Sequence, residues 1–138
     1  MQRIGVYARC VDDRRILLSR FTMPDGRWGP PGGKVEHGER PRDALMREVL
    51  EETGLRVAVG DVLDVYSTLW GSEPRVHGVS IVFDVRVTGG VLRDEVDGSS
   101  DQAAWIDLDD LPTLDRTVLL DAVVDSAAPV EPPGAPGD

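Results

Sequence analysis

A chain of 138 residues is long enough for one domain with a real core and too short for two comfortable ones. Its 25 acidic and 15 basic residues give a net charge of -10, which repels polyphosphate chains and argues against a nucleic-acid-binding module. The single cysteine, Cys10, cannot form an internal disulfide, Met1 is followed by no basic-then-apolar leader, and no apolar run approaches the roughly 20 residues that cross a bilayer, so a cytoplasmic protein without membrane contact is expected.

The segments RIGVYARC and ILLSRF are short and aliphatic, flank the charged turn VDDRR, and together predict a hairpin. TMPDGRWGPPGG carries too many prolines and glycines for regular structure and predicts a loop. Pro41, at a first helical position, opens a helix running to Thr53, and Gly54 supplies a left-handed stop; Arg40 stands where a cap prefers Ser, Thr or Asp. LRVAVGDVLDVYSTLW and VHGVSIVFDVRVTG predict longer strands, LRDEVDGSSDQ a polar loop, AAWIDL a short strand, and a second helix is expected over about 116–125. Residues 127–138 hold almost nothing to bury and predict a disordered tail after a domain of residues 1–126. The mixture is α+β: a mixed or antiparallel sheet with helices packed on it.

The first helix poses an electrostatic problem. At ~100° per residue, Leu45, Met46, Val49 and Leu50 share one arc, while Arg47, Glu48, Glu51 and Glu52 occupy the other. Carboxylates ~6 Å apart repel by roughly 1–3 kcal/mol, and the C-terminal turns add an unfavourable dipole contribution. Arg47 can pair with Glu51 one turn on, but one cation does not neutralise three carboxylates. A divalent metal does. Hard oxygen ligands, with open positions for water and phosphate, suit magnesium, or manganese in its place, better than zinc, which asks for thiolates or several histidines. The bland alternative is a solvated helix face held by an Arg–Glu pair.

That alternative does not explain the spacing. The pattern G-x5-E-x7-R-E-U-x-E-E-x-G-U, with U aliphatic, is met in full by Gly33, Glu39, Arg47, Glu48, Val49, Glu51, Glu52, Gly54 and Leu55. With average residue usage, a chance match in a chain this size has a probability on the order of 10^-8 to 10^-7. On these residues the chain resembles the Nudix hydrolase family, and its shortness and the GRWGPPGG lead-in are similar to the MutT-like branch. The resemblance implies an α/β/α sandwich with a mixed sheet, a loop–helix–loop that binds divalent cations, and cleavage of a diphosphate linkage in a nucleoside diphosphate derivative such as a nucleoside triphosphate. It further implies Glu48 and Glu52 as main metal ligands, Glu51 as a further ligand or proton acceptor, the Gly32 carbonyl as a backbone ligand, Arg47 as the residue orienting them, and Glu39 as a supporting acid. The chemistry agrees, because a diphosphate is a poor electrophile whose hydrolysis needs charge neutralisation and an acidified water. Glycines at 32 and 33 let the backbone approach metal and phosphate.

Around this motif the signals are weaker. Trp28 and Gly33 are substrate-binding candidates, with Trp70 and Tyr66 comparable to Trp28, and Trp105 reads as core. His37 and His77 lack a histidine partner and read as non-catalytic, and Asp107, Asp109 and Asp110 as caps. In the loop 94–102, Asp101 and Asp97 are acids placed to reach the metals, as family members often bring a distant acid from such a loop. Asp101 is preferred as the base, because Arg47 makes Glu51 a weaker one. Asp115 stands where the branch uses an amide to read oxidised guanine, and Pro74 lies a few residues from a proline typical of subgroups acting on ADP-ribose. The competing class is a Nudix-fold sensor that binds a nucleotide metabolite without turnover; the complete acid set favours the enzyme. The expected partner is a nucleotide-type small molecule, with a homodimer left open. Deleting residues from Pro129 onward is expected to change neither Tm nor kcat, measured by thermal melting and steady-state kinetics of the truncated chain.

Overall fold

The computed structural model describes residues 1–22 and 26–126. The described chain runs β1 (Gln2–Arg9), β2 (Val11–Asp12), β3 (Arg15–Phe21), β4 (Trp28–Gly29), β5 (Gly32–Lys34), α1 (Pro41–Thr53), β6 (Leu55–Trp70), β7 (Val76–Gly90), β8 (Ser100–Asp107), a 3-10 helix (Leu108–Thr113) and α2 (Val118–Ser126). One sheet is ordered β5-β1-β7-β6, with β1 and β7 parallel and the other pairs antiparallel. In the second sheet β3 pairs antiparallel with β2, β4 and β8. The sheet is mixed and the fold α+β, as expected. No helix among the described residues is long and apolar enough to cross a membrane, and the tail at 127–138 lies outside the described residues.

Strand β3 holds the layers together because it is apolar on both faces. Leu17 points into a core with Val6, Ala8, Leu45, Val49 and Phe83, beneath α1. Ile16 and Leu18 point into a second core with Leu111 and Leu120, from the 3-10 helix and α2. The helices therefore cover opposite sides, which is how a run such as ILLS becomes fully buried. Cys10 belongs to the first core, and its thiol is pushed up to about 11, chiefly by burial, so it is inert.

The predicted hairpin is corrected in one respect. Its turn is where the sequence put it, since Val11 faces Ile16, Asp12 faces Arg15, and Asp13 and Arg14 take φ of 50° and 63°. The arms, however, separate after Cys10, whose carbonyl accepts the Leu17 N–H at 2.9 Å, and β1 leaves to lie beside β7. Turn chemistry sets where a chain reverses but not how far the strands stay paired. The segment 22–33, read as loop, also carries two short strands, β4 and β5.

Helix α1 has the predicted bounds, with no side-chain cap at Arg40 and Gly54 in the left-handed region at φ 78°. Its buried stripe is rotated from the expected one. Ala44, Leu45, Val49, Glu52 and Thr53 are buried, while Met46 and Leu50 are 39% and 41% exposed. The inward stripe thus includes an acid, and apolar residues that look like core are left outside. The negative end of α1 receives a cation that sequence reading missed: Arg93 donates from its backbone N–H to the Thr53 carbonyl at 2.9 Å, from Nη2 to Leu50 at 3.1 Å and from Nη1 to Glu51 at 3.2 Å. A guanidinium on the last carbonyls opposes the dipole and satisfies acceptors the helix leaves open. Arg93→Ala is expected to lower stability by about 0.5–1 kcal/mol, read as a shift in the urea midpoint at unchanged m-value.

Candidate active site

Glu52 is fully buried. Its Oε1 accepts the Gly32 N–H at 3.2 Å, and its Oε2 is buried without a hydrogen-bond partner. One turn back, Glu48 faces it, with 12% of its side chain exposed, close enough for each carboxyl to act on the other. Burial, reinforced at Glu52 by the facing Glu48, raises both above the usual carboxylate range. Without a counter-charge the charged forms of both are disfavoured. Glu51, 49% exposed, sits at the same helix end and meets Arg47 Nη1 only at 3.4 Å.

Arg47 is not chiefly the partner of Glu51. Its Nε and Nη2 make a fork to the two oxygens of Glu39 at 2.8 and 2.9 Å, Nη1 reaches Glu48 at 3.0 Å, and Nη2 also donates to the Lys34 carbonyl at 3.2 Å. Glu39 also accepts the Glu36 N–H, and these bonds, Arg47 first, hold its carboxyl down at about 2. Arg47 itself is raised, chiefly by Glu39, and stays charged. The fork ties the loop before α1 to the helix and fixes Glu48 from outside.

The glycines ahead of the helix are demanded by contact. A Cβ on Gly32 would collide with the Val6 carbonyl oxygen, and one on Gly33 would lie 2.8 Å from the Glu48 carboxyl carbon. Strand β5 can therefore lie against both β1 and the acid pair only without side chains at these positions.

Gly32, Gly33 and Glu48 line a cleft of about 730 Å3 whose walls also include Arg3, Arg27 and Lys34, a concentration of positive charge in a chain of net charge -10. Tyr7, Phe21, Trp70 and Leu119 supply its apolar surface. A second lobe of about 410 Å3 shares Arg3, Tyr7 and Trp70 with the first and adds Tyr66, Ser67, Thr68 and Ser80, the Tyr66 hydroxyl being bound to the Ala122 carbonyl and the Ser67 hydroxyl to His77.

Of the residues singled out from the sequence, Gly32, Gly33, Glu39, Arg47, Glu48 and Glu52 come together. Glu51 stands at their edge. Trp28 packs on the second core rather than lining the cleft, whereas Trp70 lines both lobes. Asp101 is not on a loop: β8 begins at Ser100, because its first residues pair with Arg20 and Phe21, and Asp101 Oδ2 is bound to Arg20 Nη1 at 2.5 Å. That pairing commits the carboxylate expected to act as base, and the cleft wall there is Ser99. Asp97 is exposed. Asp107 caps the 3-10 helix by accepting the Asp109 N–H at 2.8 Å, Trp105 packs on the first core, and His77 bonds the Ser67 hydroxyl at 2.7 Å. Sequence reading missed Arg3, Tyr7, Arg27 and Lys34; only the alternation of Arg3, Gly5 and Tyr7 on one face of β1 hinted at them.

The site and fold now stand beside what similar proteins show. The NUDIX domain model matches residues 1–125. The chain belongs to the Nudix family. It is 41% identical over 104 residues to the ADP-ribose pyrophosphatase of Methanocaldococcus jannaschii, an overlap of 75% of this chain and 60% of that one. It is 48% identical over 87 residues to the putative 8-oxo-dGTP diphosphatase 2 of Mycobacterium tuberculosis, covering 56% of this chain and 62% of the relative. The overlap thus spans about three fifths of each of these two relatives. Among solved structures, the MutT NUDIX hydrolase of Burkholderia pseudomallei superposes with a TM-score of 0.80 at 30% identity, covering 91% of this chain and 98% of that one.

The acid pair of this Nudix chain fits a divalent cation. Glu52 Oε2 is a buried oxygen with no partner, and the donors around it are hard oxygens. Among the described residues no three Asp, Glu, His or Cys side chains converge into a complete cage, so backbone oxygen, water and substrate oxygens have to supply the remaining ligands. Because the pair is raised in the folded state, its contribution is full below the ordinary carboxylate range and is lost as the pH rises through the raised values. The Glu39–Arg47 fork has the opposite sign, but its loss lies near 2 and outside that range. Without metal, Tm is therefore expected to fall as the pH rises above the ordinary carboxylate range, Mg2+ is expected to cancel the fall, and Glu52→Gln to flatten it. Thermal melts across pH with EDTA or Mg2+ provide the check.

Proposed function

We propose that this Nudix chain hydrolyses a diphosphate linkage in a nucleoside diphosphate derivative, with magnesium held by Glu48, Glu52 and the Gly32 carbonyl. The observation that carries this reading is the buried, half-partnered Glu52 facing Glu48 in a cleft with basic walls. A bound divalent cation supplies charge neutralisation for phosphoryl oxygens and makes a water acidic at neutral pH. Arg47 holds Glu48 in place, and Glu39 holds Arg47. Glu51, on the same helix end and free of a close partner fork, takes the proton from the attacking water in place of Asp101. Arg27 and Lys34 draw the anionic substrate into the cleft.

The two lobes favour a substrate with a bulky group at each end of the diphosphate, such as ADP-ribose, the compound named for the Methanocaldococcus relative. A nucleoside triphosphate leaves the second lobe without an occupant. Asp115, paired with Arg27 at 3.6 Å, puts a carboxylate rather than an amide near the cleft and weighs against oxidised guanine. A sensor without turnover has no use for two buried acids facing each other.

The test is a panel of ADP-ribose, nucleoside triphosphates, dinucleoside polyphosphates and sugar nucleotides with Mg2+, scored for released monophosphate or phosphate. ADP-ribose is expected to be cleaved fastest, and Glu52→Gln to keep the fold while lowering kcat by at least ~100-fold. Binding without turnover across the panel would establish the sensor, and full turnover in a folded Glu52→Gln protein would refute the metal assignment.

A further inference from the structure

Strand β1 puts Val6 and Ala8 into the core and turns Arg3, Gly5 and Tyr7 to the opposite face, toward the cleft. The Tyr7 ring is locked between two glycines. A Cβ on Gly5 would lie 2.9 Å from its Cε2 and 3.1 Å from its hydroxyl oxygen, and a Cβ on Gly32 would lie 2.7 Å from its Cδ1. Laid back along its own strand in this way, the phenol meets the Arg3 side chain, while the acid pair is near enough for both Glu48 and Glu52 to act on it electrostatically. Arg3 lines both lobes of the cleft, and so does Tyr7.

We propose that Arg3, positioned by the Tyr7 hydroxyl, grips the diphosphate at the junction of the two lobes. The proposal rests on the diphosphate-hydrolysis reading above. A phenol orients a guanidinium by accepting one N–H without consuming its charge, and the rest of the fork stays available for phosphate oxygens, which a planar guanidinium binds in pairs. A carboxylate partner in the place of Tyr7 would cancel the charge the grip needs. The location suits the task, because a diphosphate drawn toward Glu48 and Glu52 leaves its far oxygens facing the wall that Arg3 occupies. Tyr7 is the positioning residue in this arrangement, and its fixed ring explains why both Gly5 and Gly32 lack side chains where they touch it.

The test uses inorganic diphosphate with Mg2+ as the binding probe, titrated calorimetrically, and ADP-ribose as the kinetic probe, on the full chain. Arg3→Gln is expected to raise the diphosphate Kd and the ADP-ribose KM at least ~10-fold with Tm unchanged. Arg3→Lys should recover part of the loss through charge alone, and Tyr7→Phe, which keeps the ring but frees the guanidinium, should raise KM by about 3-fold or more with little change in kcat. The exposed Arg86→Gln is the control for general charge and should change neither constant. Wild-type Kd and KM in Arg3→Gln, or a fall in Tm alone, would overturn the proposal even where the panel is cleaved. Lack of turnover across the panel fails the hydrolysis reading instead, and a diphosphate affinity lost on Arg3→Gln then still supports the grip.

Discussion

Two carboxyls facing each other out of water are the constraint around which this Nudix fold is arranged. Removing a carboxylate from water carries an effective penalty on the order of several kcal/mol, against a total stability of about 5–15 kcal/mol for a domain. Such a pair is a liability wherever stability alone is selected. The chain contains it in two ways: one oxygen of Glu52 is held by the Gly32 N–H, and Glu48 is held from outside by Arg47. Both are weaker than the pairing that the proposed divalent cation would supply.

The scaffold follows from this need. Helix α1 must turn Glu48 and Glu52 inward at its own negative end, so that end is stabilised by the Gly54 left-handed cap and by Arg93 reaching from the segment before β8. Strand β5 must come close to the acids, so it carries glycine at 32 and 33. Strand β3, apolar on both faces, ties the layer under α1 to the layer under α2. The positions that look wrong by ordinary packing rules are an acid inside and Met46 and Leu50 outside, and the buried acid is the one the proposed metal would use.

Much of this was legible beforehand because it is local. Pro41, Thr53 and Gly54 bound a helix whose limits depend on capping alone, and the acid spacing is a property of consecutive turns. What could not be read depends on pairing at long range. Nothing in the composition or period of RIGVYARC says that β1 lies beside β7, where Gln2 pairs with His77, and so the wall formed by Arg3 and Tyr7 stayed hidden. The misplacement of Asp101 has the same origin: its polar neighbours read as loop until Arg20 and Phe21 on β3 extend the ladder to Ser100. Trp28 was misleading for a different reason, since a tryptophan beside a glycine-rich turn serves a ligand and a core equally well, and only the second cluster under α2 decides between them.

The distribution of charge resolves the remaining tension between an acidic protein and an anionic substrate. A net charge of -10 spread over the surface repels a diphosphate at long range, but with a Debye length of about 8 Å in physiological salt that repulsion fades near the surface. Inside the cleft the balance inverts, because Arg3, Arg27 and Lys34 lie on its walls and, on the proposed reading, a divalent cation would neutralise the acid pair. Metal binding would then favour substrate, since it would remove negative charge from the side of the cleft that otherwise opposes a phosphate. The same two carboxyls that make the metal-free fold costly would thereby couple cation binding to substrate binding.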